Sequence, residues 1–368
     1  MASKNFLPQE LPVLHYEKQY MQNSKIARVL SKTDYEIDTE ENGRTKFRIP
    51  VGTEIVNFVD LWMDEHIELS SYNINQFDMA VMDAIYTIDK TIPRDEYGRR
   101  IKDCIFPVEW IVKVLTGNSN IKVTDKQVKS VKESIRKLRN IHITINSAEE
   151  QFQRNIMNSR LKMDDFLYSS GFLSVGEIRA TYKINGKRVT AYKLLETPPL
   201  YDYAEAIHQI VCVSPELFLT QDKFNDSTDA ILIKRYVIRR VAQIINPRNR
   251  LNSDKISYLW YDHKSPDERE RGLFPELGYD PTGDNTYDEY GNPLTELEKE
   301  KHADNFRRKI KPKIKNIVEG TLQTLVEQKV IQGFIPYREG NSKKSSAPVM
   351  GYQIIWERPE IKNSEDGD

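Results

Sequence analysis

The sequence predicts an α+β protein made of two winged-helix domains in tandem, each a helix-turn-helix followed by a β-hairpin, with a polar N-terminal arm. Three observations predict this architecture. A length of 368 residues suits two domains of ordinary size. The same order of elements occurs twice: apolar-periodic helices, a strongly basic amphipathic helix, and two strands joined by a polar loop. The first pair of strands alternates around Asn185-Gly186, a dipeptide typical of tight hairpins.

Changes in composition set the expected domain boundaries. Residues 1–69 are polar and weakly periodic, which predicts an arm or a subdomain. Residues 70–215 and 216–359 are the two predicted winged-helix domains, and residues 360–368 are expected to be a disordered acidic tail. The second domain contains an acidic insertion at 264–300 that is rich in Gly and Pro. A structureless loop of that length is uncommon in a compact domain, so the insertion is either functional or disordered.

Local signals place the elements of the first domain. Asn75 can cap a helix that Pro93 ends, Gly117 suits the end of the next helix, and Thr124 opens a third. The predicted elements after the first helix are a helix at 106–115 with Pro107 in its first turn, a helix at 124–140, a strand at 142–145, the hairpin at 172–194 and a strand at 207–213.

The second domain begins near Ser214-Pro215. Its predicted elements are a helix at 229–245 stopped by Pro247, a short helix at 253–261 capped by Ser253, a helix at 306–329, and a closing hairpin at 330–337 and 349–356.

Overall charge is balanced, but its distribution is not. The chain has 54 Lys and Arg against 55 Asp and Glu, which argues against a protein that coats nucleic acid by bulk charge. Residues 276–300 hold eight acids and one Lys, whereas residues 301–315 hold seven Lys or Arg and one Asp. This segregation makes the local pattern more informative than the sum.

The first basic helix, at 124–140, has two distinct faces. Val128, Val131, Ile135 and Leu138 recur at spacings of three and four, so they form a stripe that faces a core. The opposite face suits the major groove of DNA, where basic side chains reach guanine edges or phosphates and Gln or Ser supplies adaptable hydrogen bonds. A solvated helix face is the alternative. The candidate DNA-binding residues here are Lys126, Gln127, Lys129, Ser130, Arg136 and Lys137, with Lys187 and Arg188 at the tip of the following hairpin.

The second basic helix carries more charge. Pro312 lies inside it, which predicts either a kink or a helix that starts afresh near Lys311. A fresh start would direct the positive end of the helix dipole at phosphate. The alternative is that this run neutralises the acidic insertion, and both roles are compatible if the insertion masks the helix. The candidates are Arg307, Arg308, Lys309, Lys311, Lys313 and Lys315, with Lys343 and Lys344 in the closing hairpin.

Signatures of catalysis are missing from the sequence. There is no Gly-x4-Gly-Lys-Ser/Thr phosphate loop and no closely spaced His pair of the kind that binds metal in rolling-circle nickases. The six His are scattered, and two Cys cannot build a four-Cys zinc site. We therefore expect no enzyme activity, no cofactor and no metal.

Several features predict a cytoplasmic protein associated with the nucleoid or a plasmid. The N-terminus lacks the apolar core of a secretory signal, and the apolar stretches are too short to span a membrane. Cys104 and Cys212 are expected at buried positions as free thiols, which suits a reducing compartment.

Four segments resemble theta-type plasmid replication initiators of the Rep superfamily, especially those of Firmicute plasmids: 73–88 (NINQFDMAVMDAIYTI), 124–145, 194–217 (LLETPPLYDYAEAIHQIVCVSPEL) and 306–333. The resemblance implies two winged helices that bind directly repeated origin sequences (iterons) in double-stranded DNA, and contacts with the host initiator and replicative helicase. It assigns primary recognition to the second basic helix. It assigns secondary DNA contacts, or formation of a homodimer, to the first domain.

Two further hypotheses remain open at the level of sequence. A transcriptional regulator would use the same winged helices without a role at an origin. A recombinase or nicking enzyme would use one of the 19 Tyr as a nucleophile, although no His and Arg constellation surrounds any of them in the sequence.

Overall fold

The structure is a computed structural model that describes residues 14–30, 37–41, 44–50, 58–64, 74–146, 150–157, 166–181, 188–219, 227–246, 254–259, 272–288, 291–338 and 347–357. It is a mixed α+β protein with small antiparallel sheets. The chain divides into two compact units, unit 1 (Met1–Glu216) and unit 2 (Leu217–Asp368). The expected acidic tail at 360–368 and the tips of both predicted hairpins, 182–187 and 339–346, lie outside the described residues.

The described elements of unit 1 are β1 (Gln19–Gln22), α1 (Lys25–Leu30), β2 (Ile37–Glu41), β3 (Arg44–Pro50), β4 (Phe58–Asp64), α2 (Gln76–Lys90), β5 (Cys104–Pro107), α3 (Val108–Thr116), α4 (Asp125–Arg139), β6 (Ile141–Asn146), α5 (Glu150–Met157), β7 (Leu167–Gly171), β8 (Val175–Thr181), β9 (Arg188–Leu194), α6 (Pro199–Ala206) and β10 (Ile210–Val213).

Helices α2 and α4 begin, and helix α3 ends, at signals that the sequence provides. Asn75 caps α2 and Thr124 caps α4, each in a capping box with the residue three positions later. Gly117 ends α3 in the left-handed conformation, with φ of 68°, which glycine adopts without steric cost. The helix predicted at 106–115 begins later, because β5 ends at Pro107 and α3 follows it directly.

The N-terminal segment contributes strands to unit 1. Strands β2, β3 and β4 continue into β6 and β7 as one antiparallel sheet in the order β2-β3-β4-β6-β7. Leu61 lies opposite Ile143 in this sheet, and both are fully buried. Strand β1 pairs with β10, which starts at Ile210 and not at 207, because the unpredicted helix α6 and its C-cap at Ile207 come first.

The described elements of unit 2 are α7 (Thr228–Ile245), β11 (Lys255–Ser257), α8 (Leu273–Glu276), α9 (Glu296–Asn305), a π-helical turn (Phe306–Ile310), α10 (Lys311–Glu327), β12 (Gly333–Arg338) and β13 (Val349–Ile355).

The two units share one order of elements. In unit 1, α2 is followed by β5, by α3 and α4, and by the hairpin β8–β9; in unit 2, α7 is followed by β11, by α8 to α10, and by the hairpin β12–β13. The sheet orders correspond, because in β5-β9-β8 and β11-β13-β12 the last strand of the hairpin is central and pairs with the short strand. Unit 1 differs by the insertion of β6, α5 and β7 between α4 and β8.

The prediction of a short helix at 253–261 is wrong, because the described part of this segment contains strand β11. Ile256 lies opposite Tyr352, and both side chains are buried on the same face of the sheet. Close approach of the neighbouring strand depends on Gly351, which has φ of 154°, and an added Cβ there would lie 2.0 Å from the carbonyl oxygen of Ile256.

The acidic insertion is not a structureless loop in its described part, 272–288 and 291–300. Leu273 and Phe274 are buried in the core of unit 2, and the Phe274 ring stacks on Tyr258 with centroids 4.9 Å apart. Apolar side chains within a charged stretch therefore fix this segment to the domain.

Both cysteines are free thiols, but their environments differ. Cys104 is buried, which raises the pKa of its thiol to about 12, whereas Cys212 is exposed, contrary to the sequence expectation. Within the described ranges, no helix has the length and apolar character needed to cross a membrane.

Candidate nucleic-acid interface

Helix α4 is fixed to α2 by a buried polar cluster. Nζ of Lys137 lies 2.6 Å from Oδ2 of Asp78, and the Ser134 hydroxyl donates to Oδ1 of the same carboxylate at 2.7 Å. Asp78 Oδ2 also accepts the backbone N–H of Asn75 at 2.9 Å, so three donors satisfy one buried acid. The periodicity of the sequence predicted Lys137 on the exposed face of the helix. The structure corrects this, because its side chain is used in packing α4 against α2.

The outward face of α4 carries the other predicted cations. Lys126, Lys129 and Arg136 are exposed, while Val131, Ile135 and Leu138 on the opposite side are buried. An acid also lies on the outward face, since Glu133 is 3.8 Å from the Lys129 ammonium. The face is therefore cationic but not purely basic.

The two polar candidates on α4 already take part in local hydrogen bonds. Gln127 Oε1 accepts from the backbone N–H of Thr124 at 2.9 Å, as the second half of the capping box. Ser130 donates its hydroxyl to the carbonyl of Lys126 at 3.1 Å. Both side chains are half-buried, and both hydrogen bonds are exposed to water.

An ion-pair chain connects the end of α4 with strand β8. Glu177 on β8 is 3.8 Å from Arg139 at the end of α4 and 2.7 Å from Arg179 on the same strand. The hydrogen bond from Arg179 is the main cause that holds the pKa of Glu177 below its usual value. Arg179 has 80% of its side chain exposed, so it presents a cation beside α4.

Neither Arg179 nor Arg139 is among the candidate residues predicted from the sequence. The period-two alternation of Glu177, Arg179 and Thr181 along β8 was the available signal for Arg179. Of the residues predicted at the hairpin tip, Arg188 begins β9 without a described side chain, and Lys187 lies outside the described residues.

The second basic helix neither breaks nor starts with a free N-terminus. Helix α9 continues through the π-helical turn into α10, and the backbone N–H of Lys311 donates to the carbonyl of Phe306, five residues earlier. Proline lacks an N–H and collides with the carbonyl four residues before it, so the wider turn accommodates Pro312. The dipole argument for phosphate binding at Lys311 is therefore not supported, because α9 occupies that end.

Aromatic side chains of the acidic insertion pack against the inner side of the π-helical turn. Phe306 is buried, and its ring packs edge-on against Phe274 with centroids 5.1 Å apart. The Tyr279 ring packs against both of these rings, with its centroid 6.3 Å from that of Phe274 and 6.5 Å from that of Phe306. With Phe306 directed into the core, the residues that follow it face outward.

The six predicted cations of this run are exposed or half-buried. Arg307 and Arg308 both pair with Asp304, Lys313 with Asp229 and Lys315 with Glu319. Among the described residues, none of the ion pairs of this run involves an acid of 276–300, so the expected neutralisation by the insertion is not seen there. Lys343 and Lys344 lie outside the described residues.

Groupings that could hold a metal ion are absent from the described part of the chain, where no three His, Cys, Asp or Glu side chains come together suitably. His302, one of the scattered histidines, has a structural contact: its Nε2 lies 2.8 Å from the backbone oxygen of Asp280. The exposed cations of α4 and of the second basic helix each form a cationic surface that can bind a ligand.

Comparisons with known proteins give a limited result. No family model matches the chain, and no curated protein matches it. A crystal structure of RctB domains 2-3 aligns with a TM-score of 0.31 and 12% identity, covering 64% of this chain and 73% of that one. A selenomethionine derivative of RctB domains 2 and 3 aligns with a TM-score of 0.30 and 11% identity, covering 59% and 70%. Likeness of this size carries no conclusion about function, which has to be inferred from the residues of this chain.

Proposed function

We propose that this chain is a sequence-specific double-stranded-DNA-binding protein whose two units are winged helices, and that it initiates replication at a plasmid origin by binding and not by catalysis. The observation that carries the proposal is the repeated order of elements. In each unit a helix with a buried apolar side and an outward cationic side precedes a hairpin whose last strand is central in its sheet.

The geometry of unit 1 suits a duplex ligand. The buried pair of Lys137 and Asp78 fixes α4 in place, which leaves Lys126, Lys129 and Arg136 on a rigid outward surface. A rigid helix of about 10–12 Å diameter fits the major groove, which is about 12 Å wide. Arg179 on the adjacent hairpin then lies where a wing contacts the backbone beside that groove.

Unit 2 is proposed to make the principal base contacts. Arg307 and Arg308 are more than two-thirds exposed, and arginine pairs with guanine through two donors at O6 and N7. Lys309, Lys311, Lys313 and Lys315 add contacts to phosphate along the same helix. Each phosphate contact releases about one counterion, so affinity falls steeply as salt rises.

The role at an origin is supported by the resemblance to plasmid initiators. In this mechanism several copies bind direct repeats, strain the neighbouring A+T-rich DNA towards opening, and recruit the host initiator and helicase. Bending or opening DNA costs several kcal/mol, roughly, which contacts from several bound copies can offset.

The experiment is to clone the gene with its flanking DNA and to test whether that fragment sustains a plasmid. The wild-type fragment is expected to replicate, and the Arg307→Ala/Arg308→Ala fragment is expected not to. Specific binding to the flanking repeats without plasmid maintenance would favour a transcriptional regulator instead. A covalent protein–DNA adduct or a nicked supercoiled plasmid would favour the recombinase or nicking enzyme.

A further inference from the structure

One carboxylate holds both arginines that precede α10. Asp304, in the last turn of α9, accepts Nη2 of Arg307 at Oδ1 (2.6 Å) and Nε of Arg308 at Oδ2 (2.9 Å). Each oxygen of the acid is used by a different guanidinium. Asp304 is also the only acid among residues 301–315, in which seven side chains are basic.

For Arg308, this arrangement leaves the terminal edge of the guanidinium, which recognition of guanine needs. Arg308 uses Nε for Asp304, so its two terminal nitrogens are not used by this contact. A guanidinium has five N–H donors in a fixed planar fork, and a two-donor contact with guanine needs only two of them. Binding of the carboxylate at one edge is therefore compatible with guanine at another.

Fixing the arginines before DNA arrives has two physical consequences. An arginine side chain carries about 2 kcal/mol of rotamer entropy, and a side chain already held in place loses less of it on binding. The negative charge also repels phosphate, so it penalises arginine contacts to the backbone more than contacts to base edges. Both consequences raise affinity for the correct site relative to other DNA.

The ion pairs of Asp304 with Arg307 and Arg308 are exposed to solvent, so we expect them to matter more for DNA binding than for stability. The side chains of Arg307 and Arg308 are 74% and 71% exposed, and that of Asp304 is 36% exposed. Exposed pairs of this kind contribute little to stability, about 0 to 1 kcal/mol. Their influence grows when a groove excludes water around them, because the effective dielectric constant falls.

We infer that Asp304 is a specificity-determining residue, which orients Arg307 and Arg308 towards guanine edges and disfavours their contact with phosphate. This inference rests on the proposed function, since it presupposes that unit 2 reads base sequence. Asp304 acts through the two arginines and is a positioning residue.

The test compares Asp304→Asn with the wild type on two duplexes of equal length, one with the direct repeats that flank the gene and one with the same bases scrambled. The ratio of the two affinities is expected to fall about tenfold, which corresponds to about 1.4 kcal/mol of discrimination. Affinity for the scrambled duplex is expected to rise, because one negative charge is removed.

Glu300→Gln is the matched control, because Glu300 lies one turn earlier on α9 and the charge change is the same. Its affinity ratio should stay within about twofold of the wild type. Asp304→Glu should restore part of the ratio, since a glutamate at this position can still reach the residue four positions later.

Three results would overturn the inference. Equal gains on both duplexes would make Asp304 a general mask of positive charge. A lowered melting temperature with an unchanged ratio would make it purely structural. A wild-type protein that binds both duplexes equally would remove the proposed function itself together with this inference, and is thereby distinguished from failure at Asp304 alone.

Discussion

The Lys137 ammonium and the Asp78 carboxylate form a buried ion pair, 2.6 Å from Nζ to Oδ2, that joins α4 to α2. Their side chains are 10% and 4% exposed. The basic residues of α4 therefore have two different roles. Lys137 fixes the position of the helix, whereas its neighbour Arg136 is exposed to solvent.

Replacing Lys137 by Ala is expected to destabilise the protein by about 3 to 5 kcal/mol, because it leaves the buried Asp78 charge without its ammonium partner. Urea unfolding measures this change. Arg136→Ala, at the adjacent exposed position, is the control and should stay within about 0.5 kcal/mol of the wild type. A Lys137→Ala protein as stable as the wild type, with weakened DNA binding, would return Lys137 to the interface.

The misplacement of Lys137 shows what helical periodicity cannot resolve. Periodicity identified the buried stripe of α4 correctly, and the capping residue Thr124 set the start of the helix. Lys137 lies beside that stripe on the helix, next to Ser134, and its long side chain reaches back to an acid 59 residues earlier. The sequence did not reveal Asp78 as the partner of Lys137, because an acid at the third position of a helix is already explained by its role in a capping box.

Substituting Lys126, Lys129 and Arg136 together by Ala is expected to lower affinity for repeat-bearing and scrambled duplexes alike. The slope of log K against log [salt] should become shallower by about 0.9 for each phosphate that is no longer neutralised. Fluorescence anisotropy over a salt titration measures both quantities. Lys18, Arg99 and Lys102, also substituted together by Ala, remove the same charge from exposed positions of unit 1 outside α4 and the β8–β9 hairpin, and serve as the control. Equal reductions in affinity for the two triple variants would mean that α4 has no special role.

Asp202 is expected to make unit 1 less stable as pH rises. Burial is the main cause that raises the pKa of this carboxyl to about 7 from 3.8, and Glu205 adds to the shift. Between pH 4 and 7 the folded protein therefore holds a proton that the unfolded chain has released, so stability falls as pH increases through this range.

Asp202→Asn removes that titration and should raise the melting temperature at pH 8, by about 2 to 4 °C for each kcal/mol recovered. The gain should shrink towards pH 4, where the wild-type carboxyl is protonated in the folded protein. Melting curves of both proteins at pH 8, 6 and 4.5 measure the difference. A gain that is constant over this range would assign the effect to packing and not to ionisation.

Elements with local signals were predicted better than elements that depend on distant partners. The long helix α7 and the hairpin β12–β13 lie close to their predicted positions, since apolar spacing and turn residues are encoded within each segment. Strand β11 was taken for a helix because its three residues acquire their conformation by pairing with Gln353, Tyr352 and Gly351, nearly a hundred residues later. The sheet that joins β4 to β6 was missed for the same reason, as the two strands are far apart in a polar sequence.

At the candidate site, the charge pattern of the sequence identified the basic run, but it did not reveal the aromatic side chains that pack against it. Periodicity gave no reason to expect that Phe274 and Tyr279, in an acidic segment, pack beneath Phe306 and direct Arg307 and Arg308 outward. Pro312 predicted a kink or a fresh start near Lys311, whereas the helix continues there through a π-helical turn.

The most direct measurement is the binding of wild-type and Arg307→Ala/Arg308→Ala proteins to a duplex that bears the flanking repeats and to its scrambled counterpart, over a salt titration. The wild type is predicted to prefer the repeats and to lose affinity steeply with salt. The double variant is predicted to lose that preference, by about 1 to 3 kcal/mol for each base-specific interaction that is removed. A wild-type protein without preference, or a preference that survives both substitutions, would contradict the account.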